Sequence, residues 1–288
     1  MKAILKYLSV AVMTIACSAA LSFDFEQEFK KILKDGVQKK IEEKSDAATS
    51  NAFLGLVGIS QEEEIAIGRQ IAGNLLGASA LVKDQNLQVY VNNVGRWVAS
   101  QSERPDLTWR FGVIESSDVN AFAAPGGYIF LTRGLYSLLQ NEAELAGVLG
   151  HEIGHVVRKH HLKILQQSSL VDLGGKLISK RVGGNDKVQG LIGNGAEIVA
   201  RSLDKSAEFE ADRIAVVLAA RAGYDAFALP EVLQQIGHFS QNDGSVSLLF
   251  KTHPHPDDRL EKLGLVMDGS LEDVKGKTLA TRFYRIKN

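Results

Sequence analysis

His151-Glu152-Ile153-Gly154-His155 decides how this chain is read, because it is an H-E-x-x-H pattern set in an apolar run that begins at Asn141 and extends to about Leu162. The spacing of that run predicts a helix. Four residues along a helix advance about 400°, so the two imidazoles lie about 40° apart on one face and can both reach a tetrahedral zinc. Glu152 stands beside that face, where a carboxylate can take a proton from a water on the metal and pass it to a leaving amine.

Working outward, the third ligand has to be found. His161 stands where a metzincin keeps its third histidine, but position 158 is Arg rather than Gly. Without that glycine the helix has no reason to break, and a continuing helix carries His161 about 240° round from His155. His160 and His161 are therefore expected at the surface or behind the ligands. A better partner lies in Ser206-Ala207-Glu208-Phe209-Glu210-Ala211-Asp212-Arg213. At i,i+4 spacing Glu208 and Asp212 share a helix face, so Glu208 can complete a two-His, one-Glu site while Asp212 orients a ligand imidazole from behind. Glu210, two positions on, is expected to face the opposite side.

The rest of the chain frames these two helices. Ser60 with Glu63 forms a capping box for a helix to about Val82, and Asp84 caps another that ends near Gln101. Thr108 to Glu115 alternates as a strand does, and Asn120 to Leu131 reads as strand, Pro125-Gly126-Gly127 turn, strand. Predominantly helical α+β architecture with a small sheet follows. The segment Gly127, Tyr128, Ile129, Phe130 and Leu131 is expected to be an edge strand bordering the cleft, with backbone groups open to an extended substrate.

Among 288 residues, 33 Lys and Arg face 34 Asp and Glu, a balance that argues against a dedicated nucleic-acid binder. The single cysteine, Cys17, excludes an internal disulfide and a thiolate zinc cage, so any metal must be held by His and carboxylates. Residues 1–20 have the layout of a bacterial secretory signal: Lys2 and Lys6, an apolar stretch, then small residues. Thr14-Ile15-Ala16-Cys17 resembles a lipobox, although Thr14 stands where Leu or Val is usual; the alternative is an ordinary cut near Ala20 to Ser22. A lipid on Cys17 would be the one membrane attachment. Phe25, Phe29, Ile32, Leu33 and Val37 mark an amphipathic helix, and with the linker after it this segment covers 23–58. The peptidase-like domain then covers 59–268 and a C-terminal tail 269–288. Gln166 to Arg201, interleaved with glycines, reads as a surface loop or a lid over the cleft.

Five ordered blocks carry a family resemblance: Asn120-Ala121-Phe122 with Pro125-Gly126-Gly127, Gly134-Leu135, His151 to His160, Glu208 to Asp212, and Thr252-His253-Pro254-His255-Pro256 with Arg259 beyond. Across residues 60 to 265 the chain resembles the HtpX/BepA/LoiP family of gluzincin metallopeptidases, relatives of the CAAX prenyl proteases. The resemblance implies one Zn2+ per chain on His151, His155 and Glu208, with Glu152 as base and Asp212 behind the ligands. It also implies a periplasmic quality-control role, with unfolded polypeptides as substrates; the charged N-terminal helix, docking to a membrane complex, would add an envelope assembly complex as partner. A catalytically idle, zinc-bound chaperone or scaffold of envelope assembly is the alternative, and the intact Glu152 favours the enzyme. In Thr252-His253-Pro254 the proline restricts the residue before it and would aim the His253 imidazole. His253 is then either a plug in the open zinc position, the preferred reading, or an oxyanion donor.

Overall fold

The computed structural model describes residues 59–165, 203–240, 243–268, 271 and 274–286. The signal segment, the 23–58 helix and linker, and the glycine-rich 166–201 stretch lie outside the described residues.

Helix α1 (Gln61–Ala78) starts on the expected capping box: Ser60 Oγ accepts from the Glu63 N–H, and the Glu63 carboxylate accepts from the Ser60 N–H. Helix α2 (Gln85–Ala99) starts on Asp84, whose carboxylate accepts from the Asn86 and Leu87 N–H groups. Strands β1 (Arg110–Ile114), β2 (Ala121–Ala124) and β3 (Tyr128–Thr132) follow, then α3 (Arg133–Leu138) and α4 (Glu142–Val157). After the break come α5 (Lys205–Arg221), α6 (Ala228–Gly237), α7 (Ser247–Thr252) and α8 (Pro256–Met267).

The sheet corrects one expectation. Its order is β1-β3-β2, with β3 parallel to β1 (Arg110 opposite Tyr128) and antiparallel to β2 (Ala124 opposite Tyr128). The segment 127–131 is therefore central, with both rows of its backbone groups paired, and the edge strands are β1 and β2. The β2–β3 hairpin was visible because its turn is local. Gly126 and Gly127 take φ of +73° and +95°, which only glycine adopts freely. The β1 partnership is non-local, and nothing in the hairpin's pattern announces it.

Every residue of α4 is buried, and Leu145, Leu149 and Ile153 are fully so. Its apolar side chains share one core with α2, β1 and β3, where each buried Leu or Ile contributes about 1.5–3 kcal/mol. Helix α5 crosses α4 at a seam of small residues. A Cβ added at Gly154 would lie 3.1 Å from Ala211 Cα, and one at Gly150 would lie 3.1 Å from Ala215 Cα. Backbones this close set the face of α4 that carries His151 and His155 against the face of α5 that carries Glu208 and Asp212.

Helix α4 also ends earlier than the sequence suggests. It stops at Val157, Lys159 turns left-handed with φ of +56°, and residues 160–165 are helical again. A left-handed non-glycine residue costs about 1–2 kcal/mol. Buried Glu64 of α1 offsets this, because its carboxylate pairs with Lys159 Nζ at 3.2 Å and Arg104 at 2.8 Å. Arg104 also donates to the Val156 carbonyl at the end of α4.

At the other end of α4, the segment 277–286 closes over Glu142. Its fully buried carboxylate accepts from Tyr90, Tyr224 and Arg282. Tyr136 Oη donates to the Tyr284 carbonyl, Tyr284 Oη donates to Asp84, and Phe283 stacks on Tyr136.

Candidate metal centre

Helix α4 presents His151 and His155 to α5, which presents Glu208 and Asp212, and the turn after α7 brings His253 between them. His151, His155, Glu208 and His253 each offer one ligand atom, all within 4.8 Å of one another. His151 Nε2 and His155 Nε2 stand 3.0 Å apart, and they lie 3.5 and 3.4 Å from the two oxygens of Glu208. His253 Nε2 lies 3.8 Å from Glu208 Oε2.

Hydrogen bonding on the far side of the rings orients these atoms. His151 Nδ1–H donates to Asp212 Oδ1 at 2.8 Å, and Arg259 grips the same carboxylate with Nε at 2.9 Å and a second nitrogen at 2.6 Å. Thr252 Oγ1 already donates its one proton to a carbonyl of α7. It therefore accepts from His253 Nδ1–H at 2.8 Å. His155 Nδ1 meets His160 Nδ1 at 3.0 Å. In each of the three rings Nδ1 is engaged and Nε2 points inward.

The residues present fit a cation. Both Glu208 oxygens are buried and make no hydrogen bond among the described residues, which costs several kcal/mol unless a positive charge faces them. Tetrahedral ligands about 2.0–2.1 Å from one ion are about 3.3–3.4 Å apart, close to the 3.4 and 3.5 Å found between the imidazoles and Glu208.

Titration follows the same geometry. Burial and Arg259 both work to lower the His151 imidazole, yet Asp212 and Glu208 outweigh them and raise it to about 9. His155 is held well below its usual value by burial and by His151 beside it. Burial lowers His161 and His253 to about 4. Against burial, His253 and His151 hold Glu208 down at about 2. For Glu152 burial outweighs the pull of His151, and with Glu208 beside it the carboxyl is pushed up to about 7. A carboxyl poised there can take and return a proton near neutral pH. Glu152 lines a small cavity with Ala121–Ala123 of β2, Glu208, Thr252 and His253.

One premise of the sequence reading needs correction here: the helix does not continue past Val157. The left-handed turn at Lys159 swings His160 and His161 back under the site, behind the ligand atoms, which is the second of the two places expected for them; they are 5% and 8% exposed. Glu210 does leave α5 on the other side from Glu208, yet His160 reaches it: His160 Nε2 lies 3.2 Å from Glu210 Oε2. Sequence reasoning missed this turn because no glycine marks it. It also assigned no function to Thr252 or Arg259, although the odd stretch Thr252-His253-Pro254-His255-Pro256 marked the neighbourhood.

The profile of peptidase family M48 matches residues 85–265, a span that contains His151, His155, Glu208 and His253. The chain is 29% identical over 210 residues to the beta-barrel assembly-enhancing proteases of Yersinia pestis and Escherichia coli K12, covering 70% of this chain and 43% of each relative. It is 29% identical over 178 residues to the mitochondrial metalloendopeptidase OMA1 of Bos taurus, covering 58% of this chain and 34% of that one. The chain thus spans less than half the length of these relatives. With the profile covering more than half of its residues and the metal cradle inside that span, the chain belongs to peptidase family M48.

Proposed function

We propose that the chain is a zinc-dependent endopeptidase that cuts unfolded or misassembled extracytoplasmic proteins by attack of a water activated by Glu152. The observation that carries it is the unsatisfied Glu208 carboxylate facing inward Nε2 atoms, with Glu152 on the same cavity wall. Three imidazoles and a carboxylate, with His151 and His155 3.5 and 3.4 Å from Glu208, suit zinc. Zinc, when bound, makes water acidic near neutral pH and polarises the scissile carbonyl. Glu152 removes the proton of the attacking water and returns it to the departing amine. Asp212, clamped by Arg259, keeps His151 in the tautomer that presents Nε2.

Strand β2, with no strand partner on its outer side among the described residues, is the natural place for an extended substrate to pair. Main-chain pairing reads little side-chain identity, which suits a peptidase acting on unfolded chains. Residues Ala121–Ala124 are nevertheless buried, and Thr252 and His253 face them across the cavity. His253, in ligand position, serves as the plug that must leave before a substrate enters. The relatives named beta-barrel assembly-enhancing protease support a site of action in the envelope.

The test is the metal content of the purified chain, with casein degradation measured with and without a chelator. One zinc per chain and chelator-sensitive cleavage are expected. Glu152→Gln should keep the zinc and lose hydrolysis by several orders of magnitude, and comparable turnover by this variant would overturn the mechanism.

A further inference from the structure

Asp212 supports His151 from behind, while among the described residues His155 has no carboxylate against its Nδ1. Its ring meets His160 instead: the two Nδ1 atoms are 3.0 Å apart, and His160 Nε2 continues to Glu210 Oε2 at 3.2 Å. The His155 side chain is 1% exposed and that of His160 5%, so no bulk water competes for these contacts. Arg158 lies beside Glu210 as an ion pair, with Nε 3.0 Å from Oε1, while a terminal nitrogen donates to a second carboxylate, Glu103, at 2.8 Å.

Proton counting leaves one consistent pattern. If Nε2 of His155 is to bind a metal, its only ring proton sits on Nδ1 and must be donated there. His160 Nδ1 must then accept, which places the His160 proton on Nε2, where Glu210 receives it. We propose that His160 and Glu210 are positioning residues for the second zinc ligand, a His155–His160–Glu210 relay that does for His155 what Asp212 does for His151. The inference rests on the zinc-site reading above and adds residues to it. It also explains the turn at Lys159, without which His160 would lie elsewhere on the helix.

The test is zinc affinity by competition with a coloured chelator, which reads the metal rather than turnover. His160→Ala should raise the zinc Kd about 10- to 100-fold, the range for loss of a residue that orients a ligand. Glu210→Ala should raise it less, about three- to tenfold, because His160 remains to accept from His155. In the His160→Ala background, Glu210→Ala should change Kd by less than about twofold, since Glu210 acts only through His160. His160→Asn keeps an acceptor at the Nδ1 position and should recover Kd to within about threefold of wild type. Losses that add in the double variant, or an Asn variant as weak as the Ala variant, would reduce both residues to packing and overturn the relay. Wild-type chain that binds no zinc would overturn the metal reading itself, whereas zinc-binding wild type with an unaltered His160→Ala would overturn the relay alone.

Discussion

Gly154→Ala would press a methyl group into the seam between α4 and α5, and its consequences can be worked from the distances there. The added Cβ would sit 3.1 Å from Ala211 Cα, 3.3 Å from its carbonyl oxygen and 3.4 Å from its Cβ. Comfortable carbon contacts lie at about 3.5–4.0 Å, so α5 must retreat by about 0.5 Å. Such overpacking costs about 1–3 kcal/mol, while alanine in place of glycine within a helix returns about 1 kcal/mol. The net loss is about 0–2 kcal/mol, a fall of at most about 8 °C in Tm for a body of this size. The metal site is less forgiving. Glu208 rides on α5 one turn before Ala211, His155 follows Gly154 on α4, and ligand distances tolerate only about 0.2 Å. Zinc Kd should therefore rise at least about tenfold while the metal-free protein stays folded. Chelator competition measures the first quantity and thermal melting in EDTA the second. Gly147→Ala provides the control, because it lies on the same helix but its Cβ would press on Leu229 of α6, at 3.0 Å, rather than on α5. It should lower Tm and leave zinc affinity alone. A Gly154→Ala protein with wild-type zinc affinity would refute the idea that this seam sets the ligand spacing.

His253→Ala should increase casein cleavage if the side chain plugs the site; a fall of about 10- to 1,000-fold would assign it to oxyanion stabilisation instead. The pH profile of kcat/KM should show an acid limb with its midpoint at or below about 7. Burial raises Glu152 to that value, its basic form is lost as pH falls, and a bound cation can only move the midpoint lower; a midpoint above 8 would contradict Glu152 as the base. Arg282→Ala should lower stability by only about 1 kcal/mol, since its side chain is 63% exposed and Tyr90 and Tyr224 still serve Glu142. Glu142→Ala should cost more, as the buried Tyr224 and half-buried Tyr90 hydroxyls lose their acceptor, and thermal melts showing the reverse order would be inconsistent with Glu142 as the hub.

What could be read in the sequence was whatever depends on neighbours within a few residues. His151 with His155, and Glu208 with Asp212, were legible because i,i+4 spacing on a helix places side chains without reference to the rest of the fold. Ser60, Asp84 and the Gly126-Gly127 turn were legible for the same reason. The central place of β3 depends on β1, a partner contributed from upstream of the hairpin. The inward turn of His160 and His161 depends on Lys159, held left-handed by Glu64 of α1, which in the sequence is one more acidic residue in a helix's first turn. His253 was singled out by its prolines, but only the fold shows Thr252 fixing its tautomer.

The closure over Glu142 also bears on how the chain folds. Arg282 and Glu142 are 140 residues apart, Tyr284 and Tyr136 148, and Tyr284 and Asp84 200. Contacts across such separations carry a high loop-closure entropy, and they gain little until both ends are already structured. They belong late on the folding path, after α4 has packed on the sheet. Weakening this closure should then leave the refolding rate nearly unchanged and hasten unfolding, so the lifetime of the native state, rather than its rate of formation, depends on Arg282, Phe283 and Tyr284.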